Sequence, residues 1–151
     1  MKTLIAYFSW SNHTKELAER IAKEKGYDLL CIKRKVPYSS NYHTCAYVEA
    51  KEEVEKKVFP EISPIPVDIR DYQRILLFFP IWWYTIPMPV GSFASMIREY
   101  PGEVMVFANS YTNDPQYMIN ALRDLRKIAP GVNFQEGLFN RSFRDHTEFL
   151  K

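Results

Sequence analysis

The chain alternates between short apolar runs and longer stretches in which apolar and polar residues mix. Residues 4–8 and 75–79 are the clearest runs: both are too short for a helix and have no polar interruption. This pattern is typical of strands that are buried on both faces. Apolar runs predict five strands, at residues 4–8, 27–32, 74–80, 103–108 and 132–138.

The stretches between these runs repeat apolar residues with helical spacing. After the first strand, Leu17, Ala18 and Ile21 share one face, and Gly26 follows where a helix commonly ends. Further helices are predicted at residues 46–58, 87–97, 115–128 and 142–150. Because strands and helices alternate, the pattern predicts an α/β fold, a doubly wound parallel sheet with helices on both faces. Residues 33–70 are irregular and contain prolines, but they are too rich in tyrosine and apolar residues for a linker, so we expect them to wrap the sheet edge.

Composition narrows the class of protein. A chain of 151 residues is expected to form a single domain, residues 1–151. No apolar run approaches the ~20 residues of a membrane span, and no signal-peptide pattern is visible. Cys31 and Cys45 lack metal-ligand spacing, so we expect reduced thiols, no metal and a cytoplasmic location.

The net charge of +2 does not favour binding to nucleic acid. Lys33, Arg34 and Lys35 are interpreted as a solvated strand end, with a phosphate or partner patch as the alternative.

Ligands of such sheets bind beyond the carboxyl ends of the strands. The first loop at this edge, residues 9–14, joins a buried strand directly to a helix. The free N–H groups and dipole of that helix start attract anions, and Ser9, Ser11 and Thr14 add hydroxyls. No triphosphate or dinucleotide motif is present. Phosphate binding and simple helix capping by Ser11 or Asn12 both remain open from this loop alone.

The second loop at this edge, residues 80–89, is aromatic and stiff. It contains Trp82, Trp83 and Tyr84 among three prolines, and the third loop, residues 109–114, adds Tyr111. Flat rings with polar edges on a stiff loop suit a planar ligand, because little entropy is lost on binding. Together the loops predict a site for a ring with a phosphorylated tail. Packing of the two tryptophans over the sheet edge or a partner subunit is the alternative.

At this point the residues resemble a known family. The FMN phosphate loop of flavodoxin-like proteins, usually written Y-F-S-x-[ST]-G-N-T, is similar to YFSWSNHTKELAERIA. The P-I-W-W-G segment of the short-chain flavodoxin group is similar to PIWWYTIPMPV, and the middle of that group resembles YSSNYHTCAYVEAKEEVEKKVFPEI. The resemblance implies sheet order 2-1-3-4-5 and one non-covalent FMN.

The resemblance also implies which residues contact the cofactor. The phosphate would be held by Ser9, Ser11, Asn12, His13 and Thr14. The isoalloxazine ring would be lined by Pro80, Ile81, Trp82, Trp83 and Tyr84, and closed on its other side by Asn109, Ser110 and Tyr111. No catalytic residue is named, because the cofactor carries the electron chemistry.

Three positions depart from the family pattern. Asn12 and Tyr84 stand where glycine is usual, and residues 109–112 replace a segment that is often glycine-rich. The expected function is that of an FMN-binding redox protein, which transfers electrons between partner proteins or uses NAD(P)H to reduce small quinone-like acceptors. The alternative is a binding module of the same fold with a degenerate, flavin-free site. A homodimer is compatible with either, and no membrane or nucleic-acid partner is expected.

Overall fold

The fold is built on a five-stranded parallel sheet. The structure is a computed structural model that describes residues 2–151. Its strands are β1 (Thr3–Tyr7), β2 (Asp28–Cys31), β3 (Arg74–Pro80), β4 (Glu103–Asn109) and β5 (Asn133–Phe139). They are hydrogen-bonded in the order β2-β1-β3-β4-β5, and every pair is parallel. The predicted fold class and sheet order are therefore confirmed.

Four α-helices connect the strands and a fifth follows β5. They are α1 (His13–Lys25), α2 (Lys51–Lys56), α3 (Met88–Met96), α4 (Pro115–Ile128) and α5 (Phe143–Phe149). The helix predicted at residues 46–58 is composite, because a π-helical segment, Thr44–Ala50, precedes α2 directly. A short 3₁₀ turn, Ile69–Asp71, precedes β3.

Two apolar layers cover the sheet, one on each face. Alternate residues of β1 and β3 point to opposite sides, so that Ala6 and Leu77 belong to the layer that contains α3 and α4. Ile5 and Phe78 belong to the layer that contains α1, with part of α5 packed against it. Because both faces are covered, all of β1 and the central five residues of β3 are buried.

The irregular segment between β2 and β3 lies against the body of the protein. Arg34 and Ile62 form an isolated antiparallel bridge. Ile62 is buried in the α3–α4 layer, and Ile65 and Val67 pack against that layer. The segment is therefore part of the packed structure and not a linker, as its apolar content predicted.

Local capping signals set several helix ends. Gly26 adopts a left-handed conformation with φ 71° and donates its N–H to the Ala22 carbonyl, which ends α1 as predicted. The Asp114 carboxylate accepts from the Gln116 N–H at the start of α4, and the Ser142 hydroxyl accepts from the Asp145 N–H at the start of α5. Across residues 2–151, no helix is long and apolar enough to cross a membrane.

Candidate functional site

The start of α1 presents backbone N–H groups that no side chain caps. Asn12 precedes the helix with a left-handed φ of 71° and makes no side-chain capping bond. This φ explains how asparagine can stand where the family pattern has glycine, because asparagine tolerates the left-handed region better than most residues. Lys15 rather than a carboxylate occupies the third helical position, so the positive end of the helix remains available to an anion.

Hydrogen bonds bring the three loops together at the carboxyl edge of the sheet. The Asn109 side-chain amide donates to the Thr14 hydroxyl at 2.8 Å, and both residues are buried. The Ile81 N–H donates to the Asn109 carbonyl at 2.8 Å. The loops after β1, β3 and β4 are therefore joined directly, with Asn109 bonded to both of the others.

The loop after β3 contains a tight turn with an unusual backbone. Trp82 and Thr85 exchange N–H to carbonyl bonds of 3.0 and 3.2 Å, and the two residues between them have positive φ, 48° at Trp83 and 72° at Tyr84. Two-residue turns of this type normally use Asn-Gly, because both positions are left-handed. The Trp83 indole N–H donates to the Ala46 carbonyl at 2.7 Å, and the Asn120 amide donates to the Tyr84 carbonyl at 2.9 Å. These bonds hold the turn in its strained conformation.

An aromatic cleft of about 270 Å³ opens beside this turn. Its walls come from all three loops, from the π-helical segment and from α4. They are formed by Trp10, Tyr42, Cys45, Ala46, Tyr47, Ala50, Ile81, Trp82, Trp83, Tyr84, Ser110 and Tyr117. The rings are fixed by edge-to-face contacts: Trp82 lies 5.2 Å from Phe8 and 5.3 Å from Tyr38, centroid to centroid.

The predicted site residues occupy several environments. Those that line the aromatic cleft are Ile81, Trp82, Trp83, Tyr84 and Ser110. Those exposed at the start of α1 are Ser11, Asn12 and His13, while Thr14 and Asn109 are buried and bonded to each other. Pro80 ends β3 and pairs with Asn109, and Ser9 lines a different pocket. Tyr111 is 84% exposed beneath the Arg141 guanidinium, 4.2 Å away, and lies outside the aromatic cleft.

Sequence reasoning did not assign four of the aromatic residues in the cleft walls: Trp10, Tyr42, Tyr47 and Tyr117. Trp10 lies inside the first loop and was available as a signal. Tyr42 and Tyr47 belong to the tyrosine-rich segment around the π-helix, whose position against the sheet edge did not specify which rings reach the site. Tyr117 lies on α4 next to Met118 of its buried face, and only its position in the fold reveals its role.

A polar cluster supports the cleft from behind. The Tyr38 hydroxyl donates to the Glu53 carboxylate, which also pairs with Arg34 at 3.2 Å, and the Arg34 guanidinium stacks 4.2 Å above the Tyr38 ring. Burial raises the pKa of Glu53 above its usual value. Burial also raises the pKa of the Cys45 thiol to about 11, so this thiol is protonated at neutral pH and is a poor nucleophile.

The sheet has the order 2-1-3-4-5, and the candidate site lies where the strand order reverses, between β1 and β3. This combination defines the flavodoxin-like class of α/β proteins. The flavodoxin family model matches residues 2–149, so the chain belongs to the flavodoxin family. No protein with a curated description matches it.

Solved structures of several bacterial proteins are similar. A flavoprotein from Lactobacillus acidophilus in complex with FMN is 28% identical, with a TM-score of 0.77 over 89% of this chain and 90% of that one. The apo form of a flavoprotein from the same species, determined by NMR, is 30% identical, with a TM-score of 0.67 over 89% and 88% of the two chains. A protein from Bacteroides eggerthii, provisionally described as a flavoprotein, is 26% identical, with a TM-score of 0.83 over 99% and 95%.

Proposed function

We propose that this chain binds one FMN molecule non-covalently and acts as a redox flavoprotein. The observation that carries the proposal is the junction of an uncapped helix start and a rigid aromatic cleft at one sheet edge. The first feature suits a phosphate and the second a flat ring, which are the two ends of FMN. The L. acidophilus flavoprotein in complex with FMN supports the same ligand.

The phosphate would lie at the start of α1. Its contacts would come from the N–H groups and hydroxyls of the turn, namely from Ser9, Ser11, Asn12, His13 and Thr14. The Asn109–Thr14 bond would keep the turn in place when the ligand binds.

The ring would lie in the aromatic cleft. Its walls would be Ile81, Trp82, Trp83 and Tyr84, with Ser110 on the β4 side. Pro80 and Asn109, which pair at the ends of β3 and β4, would hold the two loops in place. When bound, FMN supplies the electron or hydride transfer. The contribution of the chain is to orient the ring and to exclude water with fixed aromatic side chains.

FMN binding is tested best by comparing FMN with riboflavin, which has the same ring but no phosphate. We expect FMN to bind about 30- to 150-fold more tightly, because charge-assisted hydrogen bonds to the phosphate contribute about 2–3 kcal/mol. Quenching of flavin fluorescence measures both affinities. Absence of FMN binding at high micromolar concentration would overturn the proposal, and equal affinities would overturn the phosphate site.

Substitution of a cleft wall tests the ring site separately. Trp83→Leu should weaken FMN and riboflavin by the same factor, about tenfold or more, because stacking on the ring is lost. Phe149→Leu is the matched control, since Phe149 is a partly exposed aromatic residue on α5 and does not line the cleft. Equal effects of the two substitutions would place the ring elsewhere.

The electron donor and acceptor of the flavin define the function more closely. We propose NAD(P)H-linked reduction of small quinone-like acceptors ahead of simple electron carriage between proteins. The net charge of +2 supports this order, because it disfavours docking onto a basic partner. Oxidation of NADH or NADPH by the FMN-loaded protein with a quinone is the deciding assay. If flavin binds without turnover, the carrier function remains.

A second candidate is a binding module that has lost its flavin. Tyr84 supports it, since its side chain lies at the cleft where the family pattern has glycine and is 61% exposed. In that case the purified chain would not bind FMN, and Tyr84→Gly would restore binding. FMN binding by the unaltered chain would exclude this candidate.

A further inference from the structure

A second cavity lies on the other side of Trp10 from the aromatic cleft. This basic pocket of about 610 Å³ lies between the carboxyl ends of β1 and β2 and the segment that follows β2. The residues that line it include Phe8, Trp10 and Tyr38, together with Lys15 and Lys33. Trp10 lines both cavities, which are otherwise formed by different residues.

The charged residues that line the basic pocket are all positive. Lys15, Lys33 and Arg34 line it, and none of its lining residues within 2–151 is a carboxylate. Arg34 is largely neutralised, because it pairs with Glu53 at 3.2 Å and with Glu49 at 3.7 Å. Lys15 and Lys33 have no ion pair in the described part of the chain. Two free ammonium groups in a concave site attract an anion.

The neighbouring Lys35 shows that not every cation of the basic run contributes charge to the pocket. Its ammonium pairs with the Glu61 carboxylate at 3.0 Å, and it does not line the pocket. Of these three consecutive cations, Lys35 is therefore paired outside the pocket, Arg34 is neutralised at its wall, and Lys33 is free to bind an anion. The pocket charge does not follow from the basic run alone.

The apolar walls of the basic pocket are rigid. The Trp10 indole N–H donates to the Ser39 carbonyl at 3.1 Å, and the Tyr38 ring is held by Glu53 and Arg34. Fixed rings present faces on which a planar group can stack at little entropic cost. The volume lies within the range of about 300–1,000 Å³ that is usual for small-molecule sites, and far exceeds the needs of a single phosphate ion.

We infer that the basic pocket is a second binding site, separate from the aromatic cleft, for a nucleotide. Its phosphates would contact Lys15 and Lys33, and its base would lie against Trp10 and Tyr38. The inference does not depend on FMN in the cleft. If the proposed function holds, a pyridine dinucleotide donor belongs to the class of ligand that this pocket would recognise.

Isothermal titration calorimetry with adenosine 2′,5′-bisphosphate tests the site on the full chain, with and without saturating FMN. We expect one nucleotide per chain in both cases. Lys33→Gln should weaken the nucleotide about tenfold, because one charge-assisted contact is lost, while Lys35→Gln changes the affinity by less than about twofold. The affinity for FMN should be the same in both variants.

Several results would overturn the inference. No nucleotide binding at millimolar concentration would do so, as would equal losses from Lys33→Gln and Lys35→Gln, which would indicate attraction by the basic run as a whole. If inorganic phosphate binds as tightly as the nucleotide, the base makes no contribution and the proposed contact with the aromatic walls is wrong. A loss of FMN affinity in Lys33→Gln that matches the nucleotide loss would make the pocket part of the flavin site.

Discussion

Replacing Tyr84 with glycine and, separately, with alanine isolates the backbone cost of the turn beside the aromatic cleft. Both substitutions remove the phenol ring and its contacts with Trp83 and Tyr117. They differ in how well the new residue tolerates the left-handed φ of 72° at this position. The comparison therefore cancels the packing loss and leaves the strain.

The expected difference follows from the steric cost of left-handed backbone. That cost is about 1–2 kcal/mol for an L-residue, and glycine avoids it although it loses more chain entropy on folding. We expect Tyr84→Gly to be more stable than Tyr84→Ala by about 1 kcal/mol. With a slope of about 2 kcal/mol per M of urea, the two unfolding midpoints should differ by about 0.5 M.

Tyr117 provides the matched control. It also lines the cleft, but it belongs to α4, where the order reverses because glycine is about 1 kcal/mol less favourable than alanine in a helix. Urea unfolding of the four variants, followed by circular dichroism, measures both differences. If alanine at position 84 is as stable as glycine, the turn does not hold a left-handed residue there and the account of the strained loop is wrong.

Two further predictions concern buried polar groups. His146 is fully buried with its Nε2 bonded to the Asn140 carbonyl, and burial lowers the pKa of its imidazole below the usual value. The unfolded chain therefore binds more protons, so stability should fall by up to about 1.4 kcal/mol per pH unit below about pH 6.5. His146→Gln should remove this dependence in urea unfolding between about pH 7 and pH 5, and an unchanged slope would assign it to other groups. Thr14→Val should cost about 1–3 kcal/mol, because the Asn109 amide loses its buried acceptor. In a double-mutant cycle, Asn109→Ala should then cost less than it does in the unaltered chain, and simple additivity would contradict the link between the loops.

The fold could be predicted because its signals are local and repeated. The uninterrupted runs at residues 4–8 and 75–79 require cover on both faces, which only a sheet between helix layers provides. Gly26 and Asp114 mark helix ends through their own backbone or side-chain chemistry. These signals need no knowledge of distant parts of the chain.

The walls of the cleft could be predicted only in part, because they depend on how irregular segments meet. Tyr111 was expected to close the site, yet its ring lies exposed beneath Arg141 and does not line the cleft. Tyr47 reaches the cleft from a π-helical segment and Tyr42 from just before it, and no periodic pattern in the sequence indicates a π-helix. The left-handed pair after Trp82 carries no glycine, so only the glycine of the similar P-I-W-W-G segment indicated this turn type.

The rigidity of the cleft comes from the least regular part of the chain. The Trp10 indole is anchored to the Ser39 carbonyl and the Trp83 indole to the Ala46 carbonyl, so that two loops of the sheet edge are bonded to one segment. The sheet determines where the loops begin, whereas these two hydrogen bonds determine the orientation of the Trp10 and Trp83 rings. Because a shared fold does not determine such anchors, we expect ligand affinity in this chain to depend on this segment as well as on the sheet. A planar ligand that enters between anchored rings loses little side-chain entropy, and this is the physical basis for expecting tight binding from a cleft of modest size.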